Sequence, residues 1–331
     1  MPRAYVLSLT VLASAVLLSL AVGSVFVPPV EVWRALTGGA TSETFRTIVV
    51  EIRLPRTVLM VLVGAALAAS GAAYQGLFRN PLADPYLIGV ASGAALGAVI
   101  GMSIQWPYTV LGLLAVPMMS FAVALFTVFV VYSFARVGGS VPTTNLILAG
   151  VAVSSFATSL TSFLMLRSTG EVRRALGWLL GGVSLIGWDV SLALIPYLAV
   201  GLAVLLLNAY ALNLLQFGDD QARQMGLDTR RAKLLVIGAA SLVSAAAVSF
   251  AGIIGFVGLV VPHIVRIWWG VDYRRLIPLS ILGGSAALLA ADVLARVVMS
   301  PRELPVGIVT ALAGAPFFLW VLRRAKDQGL W

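Results

Sequence analysis

Apolar runs of about 20 residues, separated by short polar or glycine-rich segments, recur along the whole chain. Each run is long enough to cross a ~30 Å hydrocarbon core as a helix. Lipid offers no partner to a backbone N–H or C=O, so a helix, which satisfies both internally, is the form such a run takes. The alternating strands of about ten residues that a β-barrel requires are absent. The pattern predicts about ten spans: 4–26, 53–78, one opening at 85, 110–134, 143–166, 190–207, 234–250, a short proline-broken one within 255–266, 276–298 and 305–322. Between the fifth and sixth, 167–188 is mixed and glycine-rich. It predicts a short interfacial helix with Trp178 and Trp188 at headgroup depth. The expectation is an all-α polytopic membrane protein whose residues 1–331 form a single transmembrane domain.

The stretch 53–97 organises this pattern. Arg53 and Arg56 bracket Pro55, a residue suited to a first helical turn because it has no N–H to satisfy. Gly64, Ala68 and Gly71 then let neighbouring backbones approach closely. A polar elbow, Arg79 to Asp84, ends in Asp84-Pro85, an N-cap and N1 pair for the third span. Gly93, Gly97 and Gly101 lay a smooth stripe on that span, which suits helix packing and the lining of a pathway equally.

Composition narrows the class. The chain is 60% hydrophobic and 11% charged, with mean hydropathy +1.01, whereas a soluble domain carries about 25% charged residues. The 4–26 run is longer than a signal-peptide core and further spans follow it, so it reads as the first membrane helix. No cysteine is present, which excludes disulfides and thiolate metal sites. The net charge of +9 suits anionic headgroups. The basic residues are scattered over many short loops, which argues against nucleic acid. With a cytoplasmic N-terminus, alternation over ten helices places both termini inside. Of the 22 basic residues, thirteen then fall inside and nine outside, the sign of the positive-inside rule with an unusually basic outer face.

Little in the chain can carry catalysis. No GxxxxGK[ST] loop is present to cradle phosphates. His263 is the only histidine, so histidine–cysteine clusters and Cys/His pairs are excluded. It reads as a structural or interfacial residue, against the sharper reading of a haem ligand. Asp292 is the only acid deep in a predicted span, by default a functional candidate. Arg296 stands at i+4, where the two can pair, so an ion pair is weighed against a proton relay.

The longest polar interruption, 213–233, has a definite shape. Gly218 precedes Asp219 and Asp220, acids suited to the positive end of a helix; the run through Ala222, Arg223 and Met225 gives about two turns, and Gly226 can end them. Asp228 can cap the next span. A short capped helix between two membrane helices suits a groove on a cytoplasmic partner, whereas a solvated loop needs no caps.

The stretch 53–97 and the GDDQARQMGL insert resemble the FecCD family, the permeases of ABC importers for iron chelates, haem and cobalamin, and the likeness extends over nearly the whole chain. The resemblance implies a type II ABC importer permease fold, a homodimer with a central pathway, and residence in the bacterial inner membrane. It implies two ATP-binding cassette subunits that hold ATP and Mg, while this chain binds no cofactor or metal and is no enzyme. It also implies a substrate-binding protein and a bulky metal chelate as cargo. By motif position, Gly218, Asp219, Asp220, Ala222, Arg223, Met225 and Gly226, within a loop at about 209–233, match the coupling helix that docks on the ATPase. Arg53 and Arg296, with Arg56 as a neighbour, match the docking arginines that meet glutamates of the binding protein; plain headgroup binding is the alternative. Asn80 and Leu82 match one cytoplasmic gate, and Thr143 and Thr144 the other, although helix capping also accounts for Thr143. Two rivals stand beside this reading. An ion-coupled secondary transporter would rely on Asp292, and an intramembrane enzyme would need a nucleophile–base pair that is not found.

Overall fold

The computed structural model describes residues 2–104, 106–107, 109–138, 141–167, 172–182 and 187–327. In chain order its α-helices are α1 (Pro2–Ala21), α2 (Pro29–Thr37), α3 (Glu43–Arg46), α4 (Leu54–Leu77), α5 (Val90–Met102), α6 (Val110–Ala135), α7 (Thr143–Arg167), α8 (Val172–Leu179), α9 (Trp188–Leu207), α10 (Ala209–Leu215), α11 (Asp219–Gln224), α12 (Thr229–Ala251), α13 (Val257–Trp269), α14 (Tyr273–Val297) and α15 (Val306–Asp327). A π-helical segment, Thr47–Arg53, joins α3 to α4 without a break. Among the described residues, seven helices are long and apolar enough to cross a membrane, and three shorter apolar helices complete the expected ten.

Helix α4 is the hub. Of its most apolar window 83% is buried inside the subunit, against 28% for α1 and 22% for α7. It packs against α9, α12, α13 and α14, and small residues make this possible. A Cβ on Gly64 would overlap the Gly284 carbonyl of α14, and one on Gly71 would overlap the Gly258 carbonyl of α13. Gly258 is four residues before Pro262, so its carbonyl lacks the helical donor that any other residue at 262 would supply. Polar side chains add a few bonds to this apolar seam. Tyr74 Oη lies 2.7 Å from Ser241 Oγ on α12, and Gln75 Nε2 donates to the Leu259 carbonyl at 3.0 Å.

Several boundaries differ from the sequence pattern. The third span opens at Val90, because Asp84 Oδ1 accepts from Tyr86 N at 2.7 Å and holds 84–87 as a turn. Gly93, Gly97 and Gly101 face Thr127, Ser120 and Val116 of α6, so in the subunit the stripe serves packing. Pro262 lies inside a continuous α13. The first span ends at Ala21. Trp178 is buried, with only Trp188 exposed, since α8 folds back onto the bundle. The short helix expected within 167–188 is α8, and 168–171 and 183–186 lie outside the described residues.

Candidate functional site at the two ends of the helical bundle

At one end of the bundle the carboxyl ends of α1 and α14 meet the start of α4. A helix leaves its last carbonyls without intrahelical donors. Here Arg53 donates to the Leu20 carbonyl at 2.7 Å and also bonds the Val25 carbonyl. Arg296 donates to the Ser19 carbonyl at 3.2 Å. Two cations therefore satisfy the negative end of α1. Arg56 holds Asp292 Oδ1 through Nε at 3.0 Å and Nη2 at 2.9 Å, and Glu303 through Nη1 at 2.7 Å. Asp292 is fully buried, and its Oδ2 lies 3.1 Å from Arg296 Nε. That contact is an ion pair with poor hydrogen-bond alignment. Three arginines face two carboxylates, a formal excess of one positive charge, on the floor of a small cavity of about 120 Å³ lined also by Gly23, Ser24 and Val25.

The expected Asp292–Arg296 pair is present, and the structure adds Arg56, whose separation of 236 residues from Asp292 gave no signal in the sequence. Of the ion pair and the proton relay weighed for Asp292, the structure shows the ion pair: the residue stands in the last two turns of α14, paired with Arg56 and Arg296. Arg53, Arg56 and Arg296 are 5%, 8% and 5% exposed. They are therefore the floor of a recess: carbonyls at the end of α1 hold Arg53 and Arg296 inward, and Asp292 and Glu303 hold Arg56.

At the other end the polar insert forms two short helices, α10 and α11. Gly218 opens α11 at φ +101° and Gly226 ends it at φ +86°, backbone conformations that glycine adopts without strain. Asp228 caps α12 by accepting from Arg231 N at 3.0 Å. Asp219 bonds Lys233 Nζ at 2.5 Å. Arg223 Nε donates to Thr229 Oγ1 at 3.1 Å, and its Nη1 lies 3.7 Å from the exposed Asp220. Ala222 is fully buried while Met225 is 50% exposed. Ala222 thus seats α11 on its own subunit, a correction to its expected place on a partner contact, and Met225 is the apolar side chain left outward.

Two turns flank this helix. In the elbow after α4, Arg79 takes φ +52° and Asn80 Oδ1 accepts from Leu82 N at 2.9 Å, an Asx turn that fixes Leu82. The Arg79 guanidinium lies beside Gly218 at the start of α11, its Nη1 3.2 Å from where a Cβ on that glycine would stand. His263 lies against Pro81 of the elbow, its buried Nδ1 is without a partner, and among the described residues no group of three or more His, Cys, Asp or Glu could hold a metal ion. The second turn enters α7, where Thr143 is the first helical residue and Thr144 is exposed. Thr143 therefore stands one place past the cap position. Lys233, itself buried, reaches the Val141 carbonyl at 3.4 Å. No direct bond joins Asn80 or Leu82 to Thr143 or Thr144, but both turns touch the start of α11, one through Arg79 and the other through Lys233. Beside them, Asn213 Nδ2 donates at 2.7 Å to Asp272, the cap of α14, and this bond holds that carboxyl below the usual carboxylate range.

Helix α7 presents a further feature. Ser155, Ser159 and Ser162 are exposed along one side of it, each hydroxyl bonded to the carbonyl four residues earlier. A polar stripe on a helix that is mostly unburied in the subunit suits a wet pathway better than lipid.

The family model for the FecCD transport family matches residues 10–324. The cobalamin import system permease of Halobacterium salinarum is 49% identical over 87% of this chain and 76% of its own length. The hemin transport system permease of Yersinia pestis is 39% identical, over 89% of each chain. A solved structure described as an inward-facing conformation of a metal-chelate type ABC transporter superposes with TM-score 0.83 at 28% identity, covering 97% of this chain and 99% of that one. Match to the family model over almost the whole length, and to relatives across most of it, leaves one conclusion: this multi-pass membrane protein belongs to the FecCD transport family.

Proposed function

We propose that this chain is the permease subunit of an ATP-driven importer, working as a homodimer that receives a bulky metal chelate from a binding protein outside and releases it inside. The observation that carries this reading is α11. It is seated by Ala222, locked by Asp219–Lys233, and turns Met225 outward. A partner ATPase that grips the outer side of α11 would pull directly on both polar turns, through Arg79 to the Asn80–Leu82 elbow and through Lys233 to the Thr143–Thr144 turn. Those turns would act as the inner gates, and the serines of α7 would line the pathway at the dimer axis. At the other end, the excess positive charge on the Arg53–Arg56–Arg296 floor would accept a carboxylate from the binding protein. ATP and Mg would bind to the ATPase, and this chain would contribute contact and motion only. Names of relatives favour cobalamin, haem or a metal chelate as cargo.

The test is uptake of haem, cobalamin and ferric siderophores by liposomes that contain the permease with a partner ATPase and a binding protein. Met225→Asp is expected to abolish uptake and weaken ATPase binding at least tenfold, because an unpaired carboxylate buried at that contact costs several kcal/mol. Wild-type uptake by Met225→Asp would sink the reading. A second measurement addresses the gates. In this cysteine-free chain, Thr144→Cys is expected to cross-link across the dimer axis in at least one nucleotide state. Absence of the cross-linked dimer in every state would remove Thr144 from the gate.

A further inference from the structure

On the flank of the subunit, α1, α13 and α14 enclose an open groove of about 530 Å³, within the ~300–1,000 Å³ range of small-molecule sites. Leu7, Val11 and Leu18 form one wall, Trp268 another, and Leu279, Gly283 and Ala287 of α14 a third. The α1 residues and Trp268 are about half or more exposed. The floor closes where Ala15 is buried on the bundle. From Leu7 to Leu18 the groove follows α1 for about 16 Å at the rise of an α-helix, half of a ~30 Å hydrocarbon core. It is therefore as deep as one leaflet.

Charge marks one end only. Arg3 stands one turn before Leu7 on α1, and Arg275 one turn before Leu279 on α14, so both arginines lie at the same mouth, over rows that line the groove. Both are exposed. Arg275 keeps only a 4.0 Å ion pair to Asp272, whose Oδ1 already accepts from Asn213 and Arg274 N. Arg274 is taken by the Tyr210 ring, 4.7 Å away. The walls carry no acid, and Trp268 stands on the helical turn that ends α13 at this mouth, a residue suited to headgroup depth.

We infer that the groove binds one anionic glycerophospholipid, with an acyl chain lying between α1 and α14 and the phosphate held by Arg3 and Arg275, in the leaflet on the α11 side. A zwitterionic lipid offers the same chain but no net charge for the two cations. The inference is independent of what the protein transports.

Native mass spectrometry of the full-length protein in detergent, titrated with phosphatidylglycerol and with phosphatidylcholine of identical chains, tests it. Phosphatidylglycerol is expected to be retained preferentially. Arg3→Gln and Arg275→Gln should each reduce that preference roughly fivefold, the scale of one basic residue near an anionic surface, with phosphatidylcholine retention unchanged. Ala287→Phe, at an exposed position, fills the groove and should remove both lipids while the protein keeps its melting temperature. Equal retention of the two lipids by the wild type overturns the inference. So does unaltered retention in Ala287→Phe, or a change of oligomer mass in that variant, which would mark the groove as a contact between copies.

Discussion

Asp292→Ala is expected to yield little folded protein, with a loss of about 3–5 kcal/mol, the cost of leaving buried charges without their partner. The residue has no exposure and neutralises Arg56 and Arg296 together. Without it, Arg56 retains only the half-exposed Glu303, and Arg296 only uncharged oxygens, those of Ser19 and the backbone carbonyl of residue 292. The damage reaches α1 as well, because Arg296 and Ser19 tie its end to α14, and Ser19 Oγ also bonds Thr57 Oγ1 of α4 at 2.8 Å. Thermal unfolding followed by size-exclusion fluorescence measures the effect. Replacing the charges as a set, with Asp292→Leu, Arg56→Met and Arg296→Met, should recover part of the folded yield, since apolar groups of similar volume remove the desolvation cost. A stable Asp292→Asn protein that loses transport only across a proton gradient would instead revive the ion-coupled reading.

On the proposed importer reading, Lys233→Gln is expected to leave assembly with a partner ATPase intact and to cut uptake at least tenfold, with ATP hydrolysis no longer stimulated by loaded binding protein. Lys233 is the one side chain that bonds both Asp219 at the start of α11 and the Val141 carbonyl before α7. Hydrogen bonds to charged groups contribute about 1.5–3 kcal/mol, so loss of both leaves α11 free to move without carrying the turn. Asp219→Asn should give a milder form of the same defect. The double variant should be no worse than Lys233→Gln alone, because the two residues share one interaction. Additive losses, or full uptake by Lys233→Gln, would show that motion passes elsewhere.

These two expectations differ in how far the sequence foreshadows them. The Asp292–Arg296 pair follows from i,i+4 spacing on one helix. The α11 unit follows from Gly218, Gly226 and Asp228, residues whose backbone and capping preferences act within a few positions. Arg56–Asp292 and Lys233–Val141 carry no local signal, because their partners stand 236 and 92 residues away. Local spacing also misplaced two side chains. Nothing in the run 219–225 separates Ala222, which is buried, from Met225, which is not. Trp178 and Trp188 are equally amphipathic in sequence, yet α8 buries only the first.

The sequence by itself determined that the chain crosses a membrane as about ten helices, where close contacts between them are possible, and where the polar insert folds into a capped helix. Length of apolar runs, absence of Cβ atoms and capping chemistry are properties of short segments, so they are legible in one dimension. Only the tertiary structure decided which helix is central, that Arg53 and Arg296 serve carbonyls at the end of α1, and that both polar turns stand beside the start of α11. Those outcomes depend on which apolar surfaces meet. In a chain that is 60% hydrophobic, many pairings bury similar area, and the choice among them falls to shape and to a few buried charges that must find each other.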